Sequence, residues 1–135
     1  MLAGEDAVLN SGCTATVCLL HRGVHLVIAH VGDSQALLCR GGQQLTLTRA
    51  HKPVKDEARR IERCSGFVTY DSMGNPRVNG VLEMSRSIGD AALKKYGVIA
   101  DPDIKSVQVP PVRHAACARA YDDDNKVMCL LLKRK

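Results

Sequence analysis

Aromatic residues are scarce in this chain: 3% of the total, with no tryptophan and one phenylalanine. Groove proteins that hold single-stranded nucleic acid do so by stacking bases on aromatic rings, so that function class is disfavoured at the outset. Paired metal-binding cysteines are missing as well. The six cysteines (Cys13, Cys18, Cys39, Cys64, Cys117 and Cys129) form no C-x-x-C pair and have no accompanying His-x-x-x-His, which argues against a zinc site. Most lie in apolar runs such as "TVCLL" and "ALLCR", where cysteine behaves as a small buried hydrophobe in a reducing compartment. No apolar run approaches the roughly 20 residues of a membrane-spanning helix, so no membrane span is expected. A clustered basic stripe is also lacking. The net charge of +5 comes from scattered lysines and arginines, apart from Lys133, Arg134 and Lys135. We read it as solubility and expect no nucleic-acid partner.

What is present is a chain of 135 residues, enough for one domain with a core of Val, Leu, Ile, Ala and Met. "CTATVCLL", "VHLVIAHV", "QALLCR" and "QQLTLT" read as four strands of an antiparallel meander, joined by "HRG", "GDS" and Gly41-Gly42. The second is almost continuously apolar, which predicts burial on both faces. A helix of about ten residues is expected after Pro53. Its stripe is Ala58, Ile61 and Cys64, with Asp56 and Glu57 matching the dipole in the first turn and Gly66 at the C-terminal cap. "FVTYDSMGNPRVNG" suggests two strands around a polar loop, "RSIGDAALKKYG" a loop and a helical turn, and "VIADPDIKSVQV" a further strand. From Pro110 the pattern weakens until "KVMCLLL", which reads as a buried strand. The fold class expected is α+β.

Four stretches in order carry a resemblance: "SGCTATV" (residues 11–17), "HVGDSQALL" (30–38), "HKP…DEARRIERCSGFV" (51–68) and "RVNGVLEMSRSIGD" (77–90), with "VIADPDI" following. Each alone is weak. Together they are similar to the metal-dependent protein phosphatases, the protein phosphatase 2C-like family, over roughly residues 8–109. "HVGDSQALLCR" and "VNGVLEMSRSIGD" are most similar to an animal mitochondrial branch of it. The resemblance implies a fragment of a two-sheet antiparallel β-sandwich flanked by helices, with residues 1–111 its central part and 112–135 a divergent tail.

It also implies hydrolysis of phosphoserine and phosphothreonine in a phosphoprotein substrate, at a site where Asp carboxylates hold two Mg²⁺ or Mn²⁺ ions. Hard divalent cations take oxygen ligands, and two of them lower the pKa of a shared water. In the family the carboxylates for these two ions come from an early Asp-Gly pair, a late Asp-Gly pair and a final Asp, and a separate carboxylate, the Asp of the "GDS" turn, helps hold an additional, weaker metal. Only the last has a counterpart here, Asp33. The early pair would precede Ser11 in a "DGHGG"-like phrase, and "KRK" stands where the late pair belongs.

The expectations are therefore a metal role for Asp33, a substrate-binding role for Arg77, no assigned catalytic residue, and no appreciable activity of these 135 residues alone. The alternatives are a non-catalytic phosphoprotein-binding or decoy module, or an unstable truncated product. Arg86 and Asp90 are read as an internal pair that ties a loop. His51 is read as holding the turn before the helix rather than as a general acid, and Asp122, Asp123 and Asp124 as a solvated tail.

Overall fold

The computed structural model describes residues 11–22, 24–40, 43–109, 116–121 and 127–132, of which 39–40, 116–121 and 127–132 are described as backbone. The described chain forms two units: residues 11–15, 31–33 and 50–101 in the first, and 16–30, 34–49 and 102 onward in the second.

The second unit holds two sheets. Strands β2 (Ala15–His21), β3 (His25–Val31) and β9 (Asp103–Gln108) form one, in the order β2-β3-β9. Strands β4 (Gln35–Arg40), β5 (Gln43–Thr46), β10 (Ala116–Tyr121) and β11 (Val127–Leu132) form the other, in the order β11-β10-β4-β5. The pairs β3–β9, β4–β5, β4–β10 and β10–β11 are all antiparallel. The four expected strands exist, but they are not one meander: β3 pairs with β9, and the turn at Gly32, Asp33 and Ser34 leads into the other sheet. Short-range pattern registers a turn but not which strand will sit beside the one it leaves.

One core joins the two sheets. Leu26 and Ile28 of β3, Ala36 and Leu38 of β4, Leu47 and Val109 are buried together, with Cys18, Leu20 and Val107 against them. Strand β3 alternates buried Leu26, Ile28 and His30 with half-buried Val27 and Ala29. The expectation of full burial on both faces is corrected to one buried face and one half-buried face. Thr48 closes the end of this core: its Oγ1 accepts the Ala36 N–H at 2.8 Å and donates to the Ser34 carbonyl at 3.3 Å. Strand β11 falls on the expected run, and its side chains lie outside the described residues.

The first unit is built around helix α1 (Asp56–Arg63), with the hairpin β6 (Val68–Tyr70) and β7 (Pro76–Val78), the short pair β1 (Gly12–Cys13) and β8 (Ile88–Gly89), and helix α2 (Ala91–Lys94). Its core is Ile61 with Val78 and Val98, backed by Val68, Leu82 and Leu93. Ile61→Ala is therefore expected to cost about 2–5 kcal/mol in denaturant unfolding, because the cavity opens where the side chain is fully buried.

Two expectations on α1 need correcting. The left-handed residue at its end is Ser65 (φ 59°), not Gly66. Ser65 N–H donates to the Glu62 carbonyl and Gly66 N–H to the Ile61 carbonyl, the paired bonds of a Schellman ending. Gly66 is small for a different reason, since a β-carbon there would press on Ile61 Cγ2 at 2.7 Å. Cys64 is exposed, as is Cys13, so the reading of the cysteines as buried hydrophobes fails for these two, while Cys18 is half-buried.

Candidate functional site

The "GDS" turn is held from both sides by His51. Its backbone N–H donates to the Gly32 carbonyl at 3.0 Å, and its Nδ1 accepts the Gly32 N–H at 3.1 Å. The His51 carbonyl in turn accepts Ser85 N–H at 2.7 Å and Ser85 Oγ–H at 2.8 Å. The histidine is 3% exposed, and the turn it holds is the one that carries Asp33, 19 positions away in the chain, which corrects the local reading that it holds the turn before the helix.

Asp33 is well enclosed, its side chain 11% exposed, and it lies against Lys52. Lys52 Nζ donates to Asp33 Oδ2 at 2.9 Å and to Glu83 Oε2 at 3.2 Å. The line of charge continues beyond Glu83. Arg77 donates through one terminal nitrogen to Glu83 Oε1 at 2.5 Å and through Nε to Asp71 Oδ2 at 3.1 Å. Its other terminal nitrogen donates to the Val81 carbonyl at 3.1 Å. Five groups thus alternate in sign: Asp33, Lys52, Glu83, Arg77 and Asp71. Burial alone would pull the Lys52 ammonium down, but the hydrogen bonds and charges of Asp33 and Glu83 outweigh it and raise its pKa. Asp71 is held low by the Asn75 N–H first, with burial opposing and the Met73 N–H and Arg77 adding to it.

A second, partly buried network sits on α1. Glu57 accepts from Arg86 Nε at 3.1 Å and from an Arg86 terminal nitrogen at 2.6 Å. It also accepts from Arg60 at 2.6 Å, and the Ser85 hydroxyl, whose Oγ lies 2.5 Å away, shares its single proton between Glu57 and the His51 carbonyl. Burial opposes its ionisation, yet the bonds from Arg86, Arg60 and Ser85 and the Arg60 charge hold it far below the usual carboxylate range. The expected pairing of Arg86 with Asp90 is corrected, because the carboxylate that Arg86 pairs with is Glu57. Asp90 has φ 49° and lies directly against Gly12.

The site residues expected from the sequence, Asp33 and Arg77, thus belong to one charged line, joined by Lys52 and Glu83, which sequence reasoning missed. "HKP" pointed to His51 as a turn residue and to Pro53 as the approach to the helix, and no spacing rule pairs position 52 with 33 or 83. Glu57 was read only as a first-turn acid.

In the second unit an open cleft of about 480 Å³ is lined by Ile28, His30, Thr48, Arg49, Asp103 and Lys105, among others. His30 and Asp103 lie opposite each other in the β3–β9 register.

Comparison with known proteins follows the same residues. The protein phosphatase 2C family model matches residues 2–112. The chain belongs to the protein phosphatase 2C family. A Xenopus laevis relative, protein phosphatase 1K, mitochondrial, is 52% identical over 109 residues, covering 80% of this chain and 29% of the relative. Probable protein phosphatase 2C 59 of Oryza sativa subsp. japonica is 48% identical over 97 residues, covering 71% of this chain and 28% of its own. Among solved structures, a C. elegans sex determining protein superposes with a TM-score of 0.71 at 28% identity, over 82% of this chain and 27% of that one. The serine-threonine phosphatase 2C of Toxoplasma gondii gives a TM-score of 0.68 at 27% identity, over 78% and 40%. The chain thus spans less than a third of the length of these two curated relatives, and it has the α+β architecture of the protein phosphatase 2C fold. No helix among the described residues is long and apolar enough to cross a membrane.

Proposed function

We propose that these 135 residues carry the central part of a serine/threonine protein phosphatase domain of the protein phosphatase 2C type, acting in the whole domain on phosphoserine and phosphothreonine of a phosphoprotein. Residues 112–135 are a divergent tail in this reading. When bound, two Mg²⁺ or Mn²⁺ ions supply the activated water of such hydrolysis. By the resemblance, Asp33 is the carboxylate this stretch would bring to an additional, weaker metal of the whole domain, a role that requires Lys52 to leave it, and Arg77 lies on the substrate side.

A single observation carries the functional conclusion. Of the carboxylates the resemblance requires, the 135 residues supply Asp33 alone, and one carboxylate does not hold two hard divalent ions. The isolated chain is therefore expected to have no measurable phosphatase activity. Purified chain incubated with a phosphothreonine peptide and Mn²⁺ should release no phosphate above buffer. Turnover that disappears in Asp33→Ala would overturn this.

The same assay tests Arg77. Its guanidinium already serves Asp71, Glu83 and the Val81 carbonyl, so phosphate recognition requires it to exchange one of these partners. Retention of the phosphopeptide without turnover, abolished in Arg77→Ala, would favour the binding-module reading.

A further inference from the structure

We propose that Lys52 is a built-in counter-ion of Asp33, whose ammonium group fills the place beside the carboxylate and excludes divalent metal from it in this chain. The inference goes beyond the phosphatase reading and does not depend on it, because it concerns which cation Asp33 holds and not whether any bond is hydrolysed.

The first support is spacing. Lys52 Nζ lies 2.9 Å from Asp33 Oδ2 and 3.2 Å from Glu83 Oε2. These are ammonium–carboxylate hydrogen-bond lengths. Mg²⁺ requires oxygen ligands at about 2.0–2.1 Å, and Ca²⁺ at about 2.3–2.6 Å. A metal in the same place would need both carboxylates to move inward, or Lys52 to leave.

The second support is enclosure. The Asp33 side chain is 11% exposed, so a metal arriving with its water shell meets a largely closed carboxylate that already has a partner. The third is anchoring on the far side. Glu83 is pinned by Arg77, which is pinned in turn by Asp71. Asp71 is fixed by N–H bonds from Met73 and Asn75, both at 2.9 Å. Glu83 therefore cannot swing freely to follow a metal. The Lys52 side chain leaves from the residue next to His51, whose two bonds to Gly32 hold the Asp33 turn. Cation and carboxylate are thus delivered by segments already tied together.

The line holds three acids and two bases, so removing the Lys52 charge leaves Asp33 and Glu83 facing a gap with excess negative charge. That is the condition in which a divalent cation is drawn in.

The test is Mn²⁺ titration of the full 135-residue chain, following loss of the free Mn²⁺ electron paramagnetic resonance signal. The wild-type chain should show no saturable site that depends on Asp33. Lys52→Met should gain one, half-saturated at a Mn²⁺ concentration about tenfold or more below the highest at which wild type shows none, since two carboxylates lose their fixed cation. Lys52→Met with Asp33→Asn should lose it again, while Lys52→Arg, which keeps the charge, should resemble wild type. Wild type binding through Asp33 as tightly as Lys52→Met overturns the proposal, and so does a folded Lys52→Met that gains nothing. If Lys52→Met does not fold, the wild-type chain alone decides. Submillimolar Mn²⁺ that selectively broadens the Asp33 carboxyl carbon resonance overturns the proposal, and its persistence supports it. Phosphatase activity enters none of these readings, so failure of the functional proposal would leave them unchanged.

Discussion

Glu57→Ala is expected to destabilise the protein by about 3 kcal/mol in denaturant unfolding, the cost of leaving charged partners in a partly buried site without their carboxylate. The side chain is 14% exposed and accepts from Arg60, Arg86 and Ser85 together. Its loss strands the Arg60 and Arg86 guanidinium groups, which each fix another part of the unit, while the Ser85 hydroxyl keeps its His51 acceptor. Arg86 also donates to the Asp101 carbonyl, Arg60 to the Gly97 and Ser85 carbonyls, and Ser85 to His51. The neighbouring acid on the same helix is a control. Asp56 pairs with Arg59 at 2.7 Å, but both are well exposed, and Asp56→Ala is expected to change stability little.

Glu57 also sets an acid limit. Its pKa in the folded protein is depressed, so its contribution is complete above the unfolded value of about 4.3 and is lost as pH falls below that towards the depressed folded value. One extra proton taken up on unfolding gives at most about 1.4 kcal/mol per pH unit. Unfolding free energies measured between pH 5 and pH 3 should fall more steeply for wild type than for Glu57→Gln. Parallel slopes would show that Glu57 does not carry the acid sensitivity.

The second large effect is expected at Gly32. Its φ is 103°, a conformation that side-chain-bearing residues rarely adopt, and a β-carbon there would overlap the Thr14 side chain. Gly32→Ala should cost about 3 kcal/mol or more, backbone strain of 1–3 kcal/mol plus the overlap. Because Gly32 exchanges two hydrogen bonds with His51, the loss should extend to the Asp33–Lys52 pair. It is checked by comparing the melting of Gly32→Ala with that of Gly74→Ala. Gly74 also has positive φ, at 80°, but a β-carbon there meets nothing within 4 Å. Equal losses at the two positions would mean that packing against Thr14 is not what makes Gly32 critical.

Local pattern carried much of this fold. Alternation and β-branched residues marked β2, β3, β4 and β5 where they are found, and the Gly-Asn-Pro loop marked the β6–β7 hairpin. Helix α1 was legible from its spacing and charges, although its end was assigned to the wrong residue. Ser65 takes the left-handed position that glycine would be expected to hold, and Gly66 lies close against Ile61. Partnership was not legible. The β3–β9 pairing joins residues more than 70 positions apart, and hairpin rules apply only to neighbours in the chain.

The same division holds at the site. The turn "HVGDSQALL" placed an acid at a strand end, and Arg77 was singled out by its motif. Lys52, Glu83 and Glu57 were not, because ion pairs between positions 19 to 31 apart leave no periodic trace. The sequence by itself determined the element types and the family, since these rest on residue identity and short-range order. Tertiary structure alone decided that Asp33 faces an ammonium group and that Glu57 is the internal anchor of Arg86. Burial and the direction of a side chain are properties of the packed chain, and a carboxylate acquires its role from what the fold sets within 3 Å of it.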